Sequence, residues 1–416
     1  MKIYNLKKDL EWRGLLKDIA NEESLVNIVE QSGKFYIGID PTADSIHVGH
    51  FLSLSLARIL NKHGLKPIIL LGGFTGMIGD PSGRNSEREV IDREAVAKNV
   101  LKIKNLVSAL ATKMGIIDFE LFDNNEVYEN MSIIDLYQNY GKLFNVNNML
   151  GKESVQNRIE HGISYTEFSY QIFQAIDFKY LFENKGVRLQ LGGSDQWGNI
   201  VAGIDLIRKT QGANEDVAGM TINLLTDENG NKVGKTQGVP MWLDQNKTSS
   251  YALFQFFINQ TDVTADKLLR QGTAITEEEY KEVKAKYEFD PKQKAIHNEL
   301  AKRFISTVHS EEDYYSAVEL SKLLFEERYN DIKEKDFKNL EAIPSIKSED
   351  KSLIDLLIDG GLTSSKREFR DLLKSGAVKV NGTQINDENL ILTEEFILNK
   401  VVFINLGKKN KYLIWK

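Results

Sequence analysis

Between about Lys34 and Thr226, short β-rich apolar runs take turns with stretches whose apolar residues fall at helical spacing. KFYIGID is followed by LSLSLARILNKHG and then KPIILLGG, and further on VRLQLGG precedes NIVAGIDLIRKT. That alternation predicts a parallel sheet with crossover helices, an α/β unit. Roughly Asn124 to Lys185 is mostly helical in pattern, as in SYTEFSYQIFQAIDFKYLFEN, and predicts an insertion within that unit. From about Ser249 to Asn339 the chain is nearly free of Gly and Pro, and YALFQFFINQ, QKAIHNELAKRFISTVH and YYSAVELSKLLFEERYN have helical spacing, so a helical domain should follow. KNLEAIPSIKSEDKS is polar, carries Pro344 and predicts a linker. The N-terminal MKIYNLKKDLEWRGLLKDI predicts an amphipathic helix. The expected division is 1–230 (insertion about 124–185), 231–339 helical, 340–350 linker, and a small module over 351–416.

A length of 416 residues exceeds what one hydrophobic core usually serves, which agrees with several domains. With 41% hydrophobic and 27% charged residues the composition is that of ordinary soluble globular proteins. The absence of cysteine excludes disulfides, thiolate metal sites and cysteine nucleophiles, and fits a reducing cytoplasm. No apolar run approaches the roughly 18 residues a membrane span needs, and the N-terminus offers no small-residue cleavage site; a protein neither secreted nor membrane-embedded is expected. A net charge of −7 argues against a nucleic-acid binder relying on overall basicity. Lys351 to Lys416, however, holds 11 Lys and Arg against 8 Asp and Glu, leaving +3 there and −10 in the remainder, so the tail is a candidate RNA contact.

The candidate chemistry gathers where strands end. YIGIDPTADSIHVGH places Asp40, Thr42, His47, Gly49 and His50 at a strand-to-helix junction, where backbone N–H groups and a helix dipole meet a ligand. Two histidines can donate to phosphate oxygens and Gly49 leaves room for a flat base, a design for holding ATP; an ordinary polar turn is the alternative. LGGFTGMIGDPSG has glycines for close backbone approach without strict GxGxxG spacing, so a dinucleotide enzyme or a plain turn stays open. Asp80 with Arg84 and Arg88 behind it suits a substrate bearing ammonium and phosphate. Tyr170, Gln174 and Asp177 fall at i, i+4 and i+7 and share a helix face, either a binding face or a solvated stripe. VRLQLGGSDQWGN ends a strand in Gly192 and Gly193 before Asp195 and Gln196, where a crevice is expected. NGNKVGKTQG offers Lys232 and Lys235 on a glycine-containing loop able to close over polyphosphate, or merely to be solvated.

In this order the pieces resemble class I aminoacyl-tRNA synthetases, with HVGH as the HIGH-like element and KVGKT as the KMSKS-like loop. DPTADSIHVGH, GDPSGR, ESVQNRIEHGISYTEFSYQIFQA and LGGSDQWGNI are similar to the tyrosyl enzymes of the bacterial type, over essentially the whole chain. The resemblance implies a Rossmann-like parallel-sheet catalytic domain with a helical insertion, an α-helical anticodon-binding domain and a small α+β RNA-binding C-terminal domain. It implies that Tyr36 and Asp177 hold the phenolic hydroxyl of L-tyrosine, and Asp80, Tyr170 and Gln174 its ammonium group. Asp40, Gly49, Gly193, Asp195 and Gln196 would surround the adenosine, His50 would lie near the ribose, and Thr42, His47, Lys232 and Lys235 would meet the departing pyrophosphate, with Arg84 and Arg88 on that side. ATP would come with Mg²⁺, no metal or prosthetic group would be held by the protein itself, and tRNA(Tyr) and a second copy of the chain would be the partners. The loop departs from the family in its middle positions, and Arg84 stands where related enzymes can carry lysine. TSSKREFRDLLKSGAVKVNGTQI resembles an RNA-binding module of ribosomal-protein type, with Lys366, Arg367, Arg370 and Lys374 on its helix and a tight Asn381–Gly382 turn.

Three alternatives compete. An RNA-binding protein with a synthetase body should have lost part of the ATP or tyrosine constellation. A tryptophanyl enzyme has no phenol to match Tyr36 and Asp177. A free-standing nucleotidylyltransferase has little use for the helical and basic modules.

Overall fold

The computed structural model describes residues 1–83, 86, 91–228, 230–236, 239–349, 351–407 and 410–416, without the side chains of 235, 236 and 335. The chain forms two compact units, Met1–Asp244 with Gln260–Val308, and Gln245–Asn259 with His309–Lys416.

The first unit is built on a six-stranded sheet of order β1-β6-β5-β2-β3-β4. Its strands are β1 Leu16–Ala20, β2 Lys34–Ile39, β3 Lys66–Leu71, β4 Glu120–Asp123, β5 Val187–Gly193 and β6 Ala218–Ile222, and β7 Lys235–Thr236 and β8 Val239–Pro240 form a separate antiparallel pair. All neighbours in the six-stranded sheet run parallel except β1, which lies antiparallel to β6. Runs such as KPIILL in β3, buried at every position but the first, can exist only with both faces of the sheet covered. Tyr36, Ile68, Leu70 and Phe122 pack on one face against Phe178, Leu181 and Phe182 of the helix Tyr165–Lys185 and against Ile200 and Ile204 of the helix Trp197–Gln211. The region 124–185 is mostly helical, as its spacing predicts.

The N-terminal segment differs from expectation. The helix stops at Trp12, Gly14 takes φ +69°, and LKDIA continues as edge strand β1. Its partner β6 lies some 200 residues away, so tertiary pairing overrides the helical spacing.

The second unit holds the helices Ser250–Ile258 and Glu311–Phe325 and a five-stranded sheet of order β11-β10-β12-β13-β9. β9 is Ser345–Lys347, β10 Val378–Val380, β11 Thr383–Gln384, β12 Val401–Leu406 and β13 Asn410–Trp415. The expected linker is thus partly a strand: β9 pairs in parallel with β13, and Leu413 N donates to the Pro344 carbonyl at 3.0 Å. Proline is tolerated because it accepts at an edge without having to donate. Leu320 and Leu324 share a core with Val401, Phe403 and Leu413, so residues 351–416 do not stand apart from the helix before them. The helical stretch expected as one body over 231–339 is divided, since residues 260–308 belong to the first unit.

Candidate active site

The parallel part of the sheet grows outward in opposite directions from the β2/β5 pair, β3 and β4 lying beyond β2 and β6 beyond β5. Such a reversal opens a crevice at the carboxyl ends of the strands. Asp40 follows β2 there, and Gly192 and Gly193 end β5.

One end of the crevice is buried. Ser164 caps the helix Tyr165–Lys185 and Gly186 closes it in the left-handed conformation. On this helix Asp177 is 2% exposed and Tyr170 6%, which excludes a solvated stripe. Asp177 Oδ2 accepts from Asn124 Nδ2 at 2.9 Å and Oδ1 from the Tyr128 hydroxyl at 2.7 Å. Burial lifts the Asp177 carboxyl to about 7 against the pull of these two bonds, and Asp40 and Asp123 push it the same way. Tyr36 is buried, and its hydroxyl finds no hydrogen-bond partner among the described residues. Desolvation, and then the charge of Asp177, hold this phenol well above its usual range, so it remains a donor.

A second polar group lies further along. The Tyr170 hydroxyl donates to Asp40 Oδ2 at 2.9 Å and Thr75 Oγ1 to Asp40 Oδ1 at 2.8 Å. Asp80 accepts from Gln196 Nε2 at 2.7 Å and from the Ser82 amide at 3.0 Å. Asn199 Nδ2 lies 3.2 Å from Gln174 Oε1 and 3.4 Å from Asp80 Oδ1, tying the two together. Gly72 allows Asp40 this close, since a Cβ there would stand 2.1 Å from Asp40 Oδ1. Gly38 shares the face of Tyr36 by strand alternation and is exposed, with only Leu70 Cδ2 within 4.0 Å of where a Cβ would point. A Cβ at this position would have room beside Tyr36.

The other end is open. His47 caps the helix Val48–Lys62: its Nδ1 accepts from the Gly49 amide at 3.0 Å, while His50 Nδ1 accepts from the His47 amide at 3.3 Å. With Nδ1 accepting, a neutral ring carries its proton on Nε2, so each imidazole presents a donor edge beside a helix N-terminus. A Cβ at Gly49 would sit 2.8 Å from His47 Cε1, so the ring pair depends on glycine. Lys232 Nζ bonds Asp195 Oδ2 at 2.9 Å, with the lysine side chain 54% exposed. The Lys232 loop reaches the histidines through Met241, whose carbonyl accepts from the Val48 amide and whose amide donates to the Gly234 carbonyl. Thr42 turns back on Asp40, its amide 2.9 Å from that carbonyl. Gly193 precedes the short turn Ser194–Gln196 that carries Asp195 and Gln196. Arg84, Arg88 and the side chain of Lys235 lie outside the described residues. Among the described residues no group of three or more His, Asp and Glu could hold a metal ion.

In the second unit, Lys366 and Arg370 of the helix Lys366–Lys374 pair with Asp355 at 2.7 Å and Glu388 at 2.6 Å, whereas no ion pair reaches Arg367 or Lys374 among the described residues. Asn381 and Gly382 both take positive φ between β10 and β11, the two-residue turn the sequence predicts.

Sequence reasoning missed Gly38, Thr75, Asn124, Tyr128 and Asn199. Asn124 was within reach, since it directly follows a parallel strand, β4. Tyr128 carries no such signal, because its partner is 49 residues away.

Comparison with known proteins identifies the family. The family described as tRNA synthetases class I (W and Y) matches residues 30–326, and the tyrosine–tRNA ligase SYY-like C-terminal domain matches 332–414. A tyrosine–tRNA ligase of Listeria welshimeri is 41% identical and one of Ureaplasma urealyticum 37%, each alignment covering 99% of both chains. A C-terminally truncated mitochondrial tyrosyl-tRNA synthetase of Aspergillus nidulans superposes with a TM-score of 0.68 at 28% identity, over 77% of this chain and 94% of that one. A tryptophanyl-tRNA synthetase of Plasmodium falciparum, 16% identical with a TM-score of 0.55 over 76% of this chain and 88% of that one, shares the fold.

Proposed function

The chain belongs to the tyrosine–tRNA ligases of the class I tRNA synthetases, enzymes that activate L-tyrosine with ATP and transfer it to tRNA, and on that premise we propose how its residues divide the work. The observation that carries the assignment is the buried end of the crevice, where the Tyr36 hydroxyl lacks a partner beside the buried carboxylate of Asp177. A phenol entering there donates to Asp177 and accepts from Tyr36. Phenylalanine leaves the Tyr36 hydroxyl without a partner and Asp177 with its two protein donors alone, and tryptophan offers no hydroxyl.

Asp80, Tyr170 and Gln174 take the ammonium group, directing the tyrosine carboxylate toward the open end. There the carboxylate oxygen attacks the α-phosphorus of ATP in line, forming the acyl-phosphate bond as the bond to the pyrophosphate oxygen breaks. Positioning and charge stabilisation supply most of the rate. Asp40, Gly49, Gly193, Asp195 and Gln196 surround the adenosine and His50 lies near the ribose. His47, Thr42, Lys232 and Lys235 stabilise the leaving pyrophosphate, with Arg84 and Arg88 on the same side. ATP arrives as its Mg²⁺ complex. A terminal ribose hydroxyl of tRNA then attacks the tyrosyl carbonyl and releases AMP.

The partners are tRNA(Tyr), contacted in part by the helix Lys366–Lys374, and a second copy of the chain. Exposed Ile133, Ile134, Tyr137, Val146 and Tyr165 on the insertion support a homodimer, because single apolar residues are common on surfaces but such a series asks for a cover. Location in the cytoplasm accords with the lack of cysteine; no described helix is long and apolar enough to cross a membrane. The test is amino-acid-dependent exchange between ATP and pyrophosphate without tRNA. Exchange with tyrosine, and not with phenylalanine or tryptophan, supports the assignment; exchange with tryptophan, or none by folded protein, contradicts it.

A further inference from the structure

Tyr128 stands outside every role assigned above, yet its hydroxyl lies 2.7 Å from Asp177 Oδ1 and 2.8 Å from the Phe173 carbonyl. A phenol has one proton and can satisfy only one of these acceptors at a time. Its ring is fixed by stacking on Phe74, centroids 4.0 Å apart, and by an edge contact with Phe173 at 5.6 Å. Of the two acceptors the carboxylate is nearer and, when ionised, the stronger, so the proton points at Asp177. Asn124 is committed elsewhere: it is fully buried, donates to Asp177 Oδ2 and Thr75 Oγ1, and accepts from the Phe74 amide.

We propose that Tyr128 is a positioning residue for tyrosine selection, its hydroxyl donating to Asp177 in the empty and the filled pocket alike, so that the carboxylate stays ionised and ready to accept the substrate phenol. This rests on the assignment of Asp177 to the phenol. A buried carboxylate with too few donors takes up a proton, and a protonated acid is a poorer acceptor for tyrosine. Acidic or phenolic groups surround Asp177: Asp40, Asp123, Tyr36, Tyr128 and Tyr170, with Asn124 the amide donor. Every charge among them disfavours a further negative charge, so the hydrogen bonds from Asn124 and Tyr128 are what keep Asp177 able to ionise near neutrality. Each Asp177 oxygen has a second lone pair, so the bonds from Asn124 and Tyr128 leave room for the substrate phenol to donate as well.

The test is Tyr128→Phe, which keeps the ring contacts and removes the oxygen. In pyrophosphate exchange the KM for tyrosine should rise about tenfold near pH 7, the worth of one hydrogen bond to a charged group, with kcat and the KM for ATP little changed. The excess should shrink toward onefold by about pH 9, where Asp177 ionises unaided, so the acid limb of the tyrosine KM profile moves upward by about one pH unit. An unchanged KM, or a rise of the same size at every pH, overturns the proposal, because a packing defect has no pH dependence. If the variant fails to fold, Tyr128→Trp, whose ring N–H restores a donor, should fold and keep the wild-type profile; a shifted profile there overturns the proposal too. Retention of tyrosine preference by Asp177→Asn would remove the premise instead.

Discussion

The two ends of the crevice are built on opposite principles. At the phenol end Asp177, Asn124, Tyr128 and Tyr36 are buried, with every donor but one engaged inside the protein. At the phosphate end His47, His50 and Lys232 are partly open to water, and the Lys232 ammonium rests on Asp195, a carboxylate proposed to take the ribose. Selecting an amino acid by one hydroxyl needs a site fixed before binding, since its discrimination comes from groups left unpaired by the wrong substrate. Stabilising charge that develops only during reaction allows cations to be brought in by the substrate itself.

Asp177→Asn should cut hardest across this comparison. Preference for tyrosine over phenylalanine, measured as the ratio of kcat/KM in pyrophosphate exchange, should fall by on the order of 10⁴, a magnitude that belongs to tyrosyl enzymes as a class and owes nothing to the distances given above. Lys232→Ala should slow adenylate formation by about 10²–10³, the cost of one transition-state donor, with tyrosine preference intact. Gly38→Ala sharpens the contrast from the protein side: a Cβ has room in the empty structure, so thermal stability should hold within about 0.5 kcal/mol, while the KM for tyrosine rises at least about tenfold because the methyl occupies substrate space. Arg367→Ala with Lys374→Ala should weaken tRNA charging severalfold, flatten its salt dependence by about two in log–log slope, and spare pyrophosphate exchange.

The smallest effect is one of pH, and it has two signs. Asp177 is held up at about 7. The folded protein therefore keeps a proton that the unfolded chain loses near pH 4, so this group's stabilising contribution is fully present below pH 4 and is lost as pH rises through 7. Tyrosine affinity should move the other way, improving severalfold as pH rises through 7 and Asp177 becomes an ionised acceptor. Parallel melting and tyrosine-binding profiles check the pair.

What could be read from the sequence follows the same division. HVGH, GGSD and the helix face of Tyr170, Gln174 and Asp177 are local strings at strand ends or on one helix, so spacing picks them out as candidates and the family resemblance supplies the roles. The network behind Asp177 comes from three segments, around Phe74, Asn124–Tyr128 and Phe173–Asp177, that meet only in the folded protein. Strand β1 was hidden because an edge strand pairing with β6 needs no pattern of its own. Pro344 suggested a linker because β9 is short and polar, and only its register with β13 reveals it. A truncation near residue 351 would consequently strip β9 and the Leu320 core of their partners, which makes surface charge changes the better probe of RNA binding.

The most direct test of a fixed phenol end and a substrate-completed phosphate end is a single-turnover measurement of tyrosyl-adenylate formation, separating the Kd for tyrosine from the rate of the chemical step. Two ends with separate tasks predict that Asp177→Asn raises the Kd with a much smaller change in rate, and that Lys232→Ala lowers the rate with the Kd unchanged. If both substitutions act on the same constant, the two ends do not divide the work.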